Sequence, residues 1–242
     1  MNISKNKILI TGGATGIGLA LTEQFLEENN TVIICGRRGG ALEAVSNKYP
    51  SVITRLCDLS KADEREELYK WIVNEHPDLN VLINNAGIQN WMTISDDNFF
   101  QLAKEELAIN IEAPMHLISL FIRLRSLTTV MNVTSGLAYV PLVKAPVYSA
   151  TKAFMHSLTL SVRHILKTKG IEVITLIPPA LNTDLGGKGI HDYAPPVSDF
   201  IESVFKQLKE QKTEITFGFS EAMANSGPED LLKAFNRMNT SN

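Results

Sequence analysis

Short runs of apolar, often β-branched residues recur along the chain at 7–11, 31–35, 52–57, 81–84, 129–133 and 171–177, with a weaker run at 215–217. Most lack the apolar–polar alternation of a half-exposed strand, which predicts strands buried on both faces. The stretches between them space their apolar residues by helical turns and are long enough for crossovers joining parallel neighbours. The pattern predicts a doubly wound α/β architecture, with a mostly parallel seven-stranded sheet flanked by helices on both faces.

After the first strand Ile17, Leu21 and Phe25 step along one helical face, and the stripe ends before Glu28. A longer stripe, Phe99, Leu102, Leu107, Ile111, Met115, Ile118 and Ile122, predicts a long, mostly covered helix kinked at Pro114. No composition break divides the chain, so residues 1–242 read as one domain. Residues 183–198, with Gly186, Gly187, Gly189, Pro195 and Pro196, read as a mobile loop that closes over a site. In the polar tail, 221–242, Leu231, Leu232, Phe235 and Met238 fall at helical steps and predict a short amphipathic helix.

Composition narrows the field. The chain has 242 residues, 44% hydrophobic and 20% charged, which excludes a disordered class. Twenty-three Lys and Arg against 26 Asp and Glu leave a formal charge of -3, without the basic excess that a nucleic-acid partner requires. No run approaches the ~20 apolar residues of a membrane span, and the apolar start is too short for an export signal. These features predict a soluble cytoplasmic protein. Cys35 and Cys57 lie in apolar runs and read as reduced core residues. The five histidines show no metal-ligand spacing, so no metal is expected.

Candidate chemistry begins directly after the first strand, where Thr11-Gly12-Gly13-Ala14-Thr15-Gly16-Ile17-Gly18 opens into a helix. Glycines at such a turn let backbone N–H groups and the positive helix end approach a pyrophosphate. At the end of the second strand, where a dinucleotide site usually places an acid for the adenosine ribose, stand Gly36, Arg37 and Arg38. A guanidinium there forks onto a 2′-phosphate, so NADP(H) is preferred over NAD(H), with Arg37 as its reader.

Further polar residues fall at strand ends and on helices: Asn84-Asn85-Ala86-Gly87, Asn110, Thr134-Ser135, and Tyr148 with Lys152. Tyr148 and Lys152 are four apart and share a helical face. Lowering a phenol from its pKa near 10 by ~3 units takes ~4 kcal/mol of preferential phenolate stabilisation. Lys152 and an oxidised nicotinamide are two cations that can supply it, with Ser135 donating to the substrate oxygen.

Taken together these motifs resemble the short-chain dehydrogenase/reductase family, over most of the chain, and within it are similar to the bacterial DltE-type oxidoreductases. The resemblance implies a Rossmann-type fold and a homodimer or homotetramer. It implies an adenine contact at Asp58-Leu59, a cofactor-side segment at Asn85, Ala86 and Gly87, and nicotinamide contacts from Pro178, Leu181 and Thr183. It also implies a catalytic tetrad: Tyr148 as acid/base, Ser135 polarising the carbonyl, Lys152 binding the nicotinamide ribose, and Asn110 positioning a relay water. The chain departs from the family at Pro178-Pro179, where Pro-Gly is usual, which predicts a stiffer loop. The expected activity is hydride transfer between NADP(H) and a small to medium carbonyl or alcohol substrate beside an apolar wall at 137–142. The rival readings are a non-catalytic NADP(H)-binding sensor and an epimerase or dehydratase.

Overall fold

A computed structural model of the protein describes residues 1–240. The chain runs β1 (Lys7–Thr11), α1 (Gly16–Glu27), β2 (Thr31–Gly36), α2 (Gly39–Lys48), β3 (Ile53–Leu56), α3 (Ala62–Glu75) and β4 (Val81–Asn84). It continues through α4 (Phe99–Leu107), α5 (Ala113–Phe121), β5 (Thr129–Val133), α6 (Pro146–Lys167) and β6 (Glu172–Ile177). It ends with α7 (Val197–Lys209), β7 (Glu214–Thr216), α8 (Phe219–Ala224) and α9 (Pro228–Asn239). The seven strands form one sheet in the order β3-β2-β1-β4-β5-β6-β7, every neighbouring pair parallel.

The uninterrupted apolar runs follow from a core on each face. Ile8 and Ile10, Val32 and Ile34, Val81 and Ile83 face α1 and α7. The residues between them, Leu9, Ile33, Cys35 and Leu82, face α3 and α5. Each strand is therefore apolar at both phases of its period. Both cysteines are buried and free, as the apolar runs around them predict. The exceptions are the edge strands: β3 exposes Leu56, and β7 buries only Ile215.

The predicted long helix is interrupted by a π-helical turn over Ala108–Glu112, between α4 and α5. Pro114 has no N–H for the carbonyl of Asn110, four residues before it, and the wider turn takes up that missing α-helical bond. The covered face also differs from the predicted stripe. Leu107 and Met115 are exposed, while Ala103, Glu106, Asn110, Ala113 and Leu117 are buried. The tail holds two helices, α8 and α9; the last two residues of its predicted range lie outside those described. No helix among the described residues is long and apolar enough to cross a membrane.

Candidate active site

Strand order reverses between β1 and β4, whose C-terminal ends part around a crevice. There Thr11 Oγ1 accepts from the N–H groups of Asn85 and Ala86, both at 3.0 Å, and Asn85 Nδ2 donates to the Thr11 carbonyl at 2.9 Å. These bonds lock the glycine turn against the segment after β4. Gly12 and Gly16 have φ of +64° and +54°, a left-handed backbone that favours glycine. A Cβ on Gly18 would overlap the Gly12 carbonyl oxygen and stand 2.5 Å from Asn85 Nδ2.

Thr15 caps α1 in position only: its hydroxyl makes no bond to the helix and accepts instead from Arg38 Nη2 at 2.8 Å. The first-turn N–H groups of α1 are thus left uncapped by any side chain, beside a cavity of about 1420 Å³. A turn that a Cβ would fill, open amides at a helix N-terminus and two nearby guanidiniums fit a dinucleotide phosphate. Gly12, Thr15, Gly16, Ile17, Gly18, Arg37, Asp58, Leu59, Asn85, Ala86 and Gly87 all line this cavity, as do Pro178, Leu181 and Thr183. Thr183 faces the glycine turn, its Cγ2 lying 3.5 Å from where a Gly16 Cβ would stand.

The same cavity continues to Ser135, Tyr148 and Lys152. Ser135 follows β5 in extended backbone, and its Oγ accepts from Leu137 N at 3.1 Å, which leaves its O–H free to donate. Pro146 at the first turn of α6 starts the helix that carries Tyr148 and Lys152. Lys152 Nζ donates to the Val133 carbonyl at 2.9 Å and stands 5.4 Å from the Tyr148 ring centroid. Burial pushes the Tyr148 phenol well above its ordinary value; the Ser135 hydroxyl opposes this in part and the charge of Glu106 adds to it. Burial lowers Lys152 to about 8, against the pull of Glu106. In the protein without nicotinamide, desolvation is the largest influence on the phenol and holds it neutral.

Asn110 sits in the π turn, outside the cavity wall. Its Oδ1 accepts from Ile88 N at 2.9 Å, and its Nδ2 donates to the Ile88 carbonyl at 2.9 Å and to Thr151 Oγ1 at 3.2 Å. The amide is occupied in joining the segment after β4 to α6.

Two features escaped the sequence reading. Glu106, one turn before Asn110, is fully buried, and its Oε1 accepts from Asn90 N at 2.5 Å. The i, i+4 spacing to Asn110 was its signal. Phe219 of α8 and Met238 of α9 line the cavity, where only Leu137 and Leu142 do so from the expected apolar wall. Asn239 fastens α9 there, donating to the Pro141 carbonyl at 3.0 Å and accepting from Val143 N at 2.8 Å.

Comparison with known proteins agrees with this geometry. The sequence profile of the short chain dehydrogenase family matches residues 6–193. An uncharacterized oxidoreductase, DltE of Bacillus subtilis (strain 168), is 38% identical over 250 aligned positions covering 99% of each chain. A serine 3-dehydrogenase of Agrobacterium fabrum is 30% identical over 73% of this chain and 72% of that one. Among solved structures, a short chain dehydrogenase from Burkholderia cenocepacia J2315 in complex with NADP superposes with a TM-score of 0.85, covering 98% of this chain and 99% of that one at 22% identity. The chain belongs to the short-chain dehydrogenase family and is an oxidoreductase with that family's Rossmann-like fold.

Proposed function

We propose that the protein is an NADP(H)-preferring carbonyl reductase or alcohol dehydrogenase with Tyr148 as its acid/base. The observation that carries this reading is the single cavity joining the glycine turn to Ser135, Tyr148 and Lys152. Bound nicotinamide supplies or accepts the hydride. In reduction the Ser135 O–H holds the substrate carbonyl oxygen, and the Tyr148 phenol, neutral in its buried setting, gives its proton to the oxygen as negative charge develops there. Lys152, held by Val133, steadies the phenolate left behind. In oxidation the same phenolate takes the alcohol proton.

The phosphorylated cofactor is supported by Arg37 and Arg38 on the cavity wall, by the absence of an acid at the end of β2, and by the NADP bound to the Burkholderia relative. The serine 3-dehydrogenase relative supports an alcohol as substrate class. Leu137, Leu142, Phe219 and Met238 favour a small to medium substrate with an apolar portion. Exposed apolar residues on α4 and α6 support a homodimer or homotetramer.

Reduced-nicotinamide absorbance in a screen of ketones, aldehydes and alcohols tests the reading. Tyr148→Phe is expected to abolish turnover while keeping cofactor affinity. A wild-type rate in that variant removes the assignment, and cofactor binding with no turnover of any tested substrate by the wild type returns the sensor reading. Losing a charged phosphate contact at ~2 kcal/mol predicts roughly 30-fold weaker NADPH binding in Arg37→Ala with NADH unaffected. Equal loss for both cofactors counts against the 2′-phosphate role.

A further inference from the structure

The segment that leaves β4 is pinned by two side chains on one helical face. Asn110 Oδ1 takes the N–H of Ile88 and, one turn earlier, Glu106 Oε1 takes the N–H of Asn90. The two acceptors differ in their state. The Asn110 amide is fully bonded, but Glu106 Oε2 is buried without any hydrogen-bond partner. An amide oxygen would serve the Asn90 bond as well as a carboxylate, so the clamp alone does not account for an acid in a dry site.

The surroundings supply the reason. Gly87 lies between Asn110 and Lys152, with Asn110 Oδ1 at 3.4 Å and Lys152 Nζ at 3.5 Å from where its Cβ would stand. Lys152, itself buried, makes one hydrogen bond, to a neutral carbonyl. The groups that act on this cluster are few. Lys152 feels Glu106; Tyr148 feels Ser135 and Glu106; Glu106 feels the Asn90 N–H and Lys152.

We propose that Glu106 is a positioning residue for the Tyr148–Lys152 pair: a buried counter-charge that keeps the Lys152 ammonium protonated while its other oxygen fixes the cavity wall at Asn90. The proposal rests on the catalytic reading of the pair given above. Burial raises Glu106 to about 7, with the Asn90 bond and Lys152 opposing, so the carboxyl ionises in the range where Lys152 must keep its proton. The Glu106 charge raises both Tyr148 and Lys152, so removing it lowers the pKa of each.

Glu106→Gln keeps the size and the acceptor for Asn90 and removes only the charge. In cofactor-free protein labelled with 13C at lysine Cε, Lys152 is identified by its loss in Lys152→Arg. Its titration midpoint is expected to fall by about one pH unit in Glu106→Gln. The alkaline limb of the kcat profile is expected to move the same way, with cofactor affinity unchanged. An unmoved midpoint overturns the proposal and leaves Glu106 a structural clamp. Should the variant not fold, 13Cδ titration of glutamate in the wild-type protein decides the matter, since a buried glutamate that stays protonated through the Lys152 midpoint carries no counter-charge there and also overturns the proposal. This readout needs no turnover, so a failure of the catalytic reading in Tyr148→Phe is separate from a failure here.

Discussion

Two glycines in the first third of the chain make opposite demands on a methyl group. Gly18 is packed against the Gly12 carbonyl and Asn85, so Gly18→Ala must displace backbone. Overpacking of that kind costs about 3 kcal/mol, and here it also spreads the glycine turn. Gly40 lies in α2 with nothing near its missing Cβ, and Gly40→Ala is expected to gain about 1 kcal/mol of helix propensity. Urea denaturation measures both, and a cofactor titration should show lost affinity in the first variant only. Glu106 makes a demand on pH. Its folded-state value, raised to about 7, exceeds its unfolded one, so the folded protein holds that proton longer. Its contribution to stability is full in acid and is lost as pH rises toward 7. The wild-type Tm should therefore fall relative to that of Glu106→Gln between pH 5 and 7; a constant difference across that window contradicts the dry site.

At the scale of elements, the predicted loop 183–198 ends where α7 begins at Val197, and residues 183–196 are tied to the rest of the molecule by few bonds. Trp91 Nε1 donates to the Gly186 carbonyl at 2.9 Å, and Asn182 N donates to the Pro195 carbonyl at 2.9 Å. Trp91→Phe keeps an aromatic ring and breaks the first tie. It is expected to speed trypsin cleavage after the exposed Lys188 and to raise substrate KM several-fold with kcat nearly kept; an unchanged cleavage rate would mean that the tie does not restrain the loop. The five inner strands were legible in the sequence because each is apolar at both phases, a pattern that needs a core on either side. That the glycine turn and the Tyr148–Lys152 pair line one cavity was legible, because the placement of each follows from local spacing. The helix through Asn110 was not. Leu107 and Met115 of its predicted stripe are exposed, whereas the inner face carries Glu106 and Asn110 beside Ala103, Ala113 and Leu117. Periodicity assigns polar residues to solvent, and here the backbone amides of Ile88 and Asn90 satisfy them inside. The contributions of Phe219 and Met238 were equally hidden, since α8 packs on Gly136 and α9 is tied to Pro141 and Val143, contacts between segments far apart in the sequence.

The molecule turns one side of α6 to the cavity and leaves apolar surface on the other. Tyr148 and Lys152 face the cavity, while Phe154 and Ile165, eleven residues and so about three turns apart, lie on one outward stripe and are 42% and 60% exposed. On the neighbouring α4, Phe100 is 73% exposed and Leu107 lies one heptad further along the same face. Large apolar side chains gathered on two adjacent helices form a patch of the kind that a second copy covers. A two-fold pairing would place α6 of each copy against the other, so that the helix bearing the Tyr148–Lys152 pair is held from both sides. Phe154→Glu would set two like charges near such an axis in low dielectric, a cost that an interface of ~1,600 Å² does not absorb without weakening by orders of magnitude. Light scattering on a size-exclusion column is expected to give a dimer or tetramer for the wild type and a monomer for Phe154→Glu, with a native circular-dichroism spectrum in both. A monomeric wild type at micromolar concentration, or an unchanged mass in the variant, would show that these helices pair with nothing.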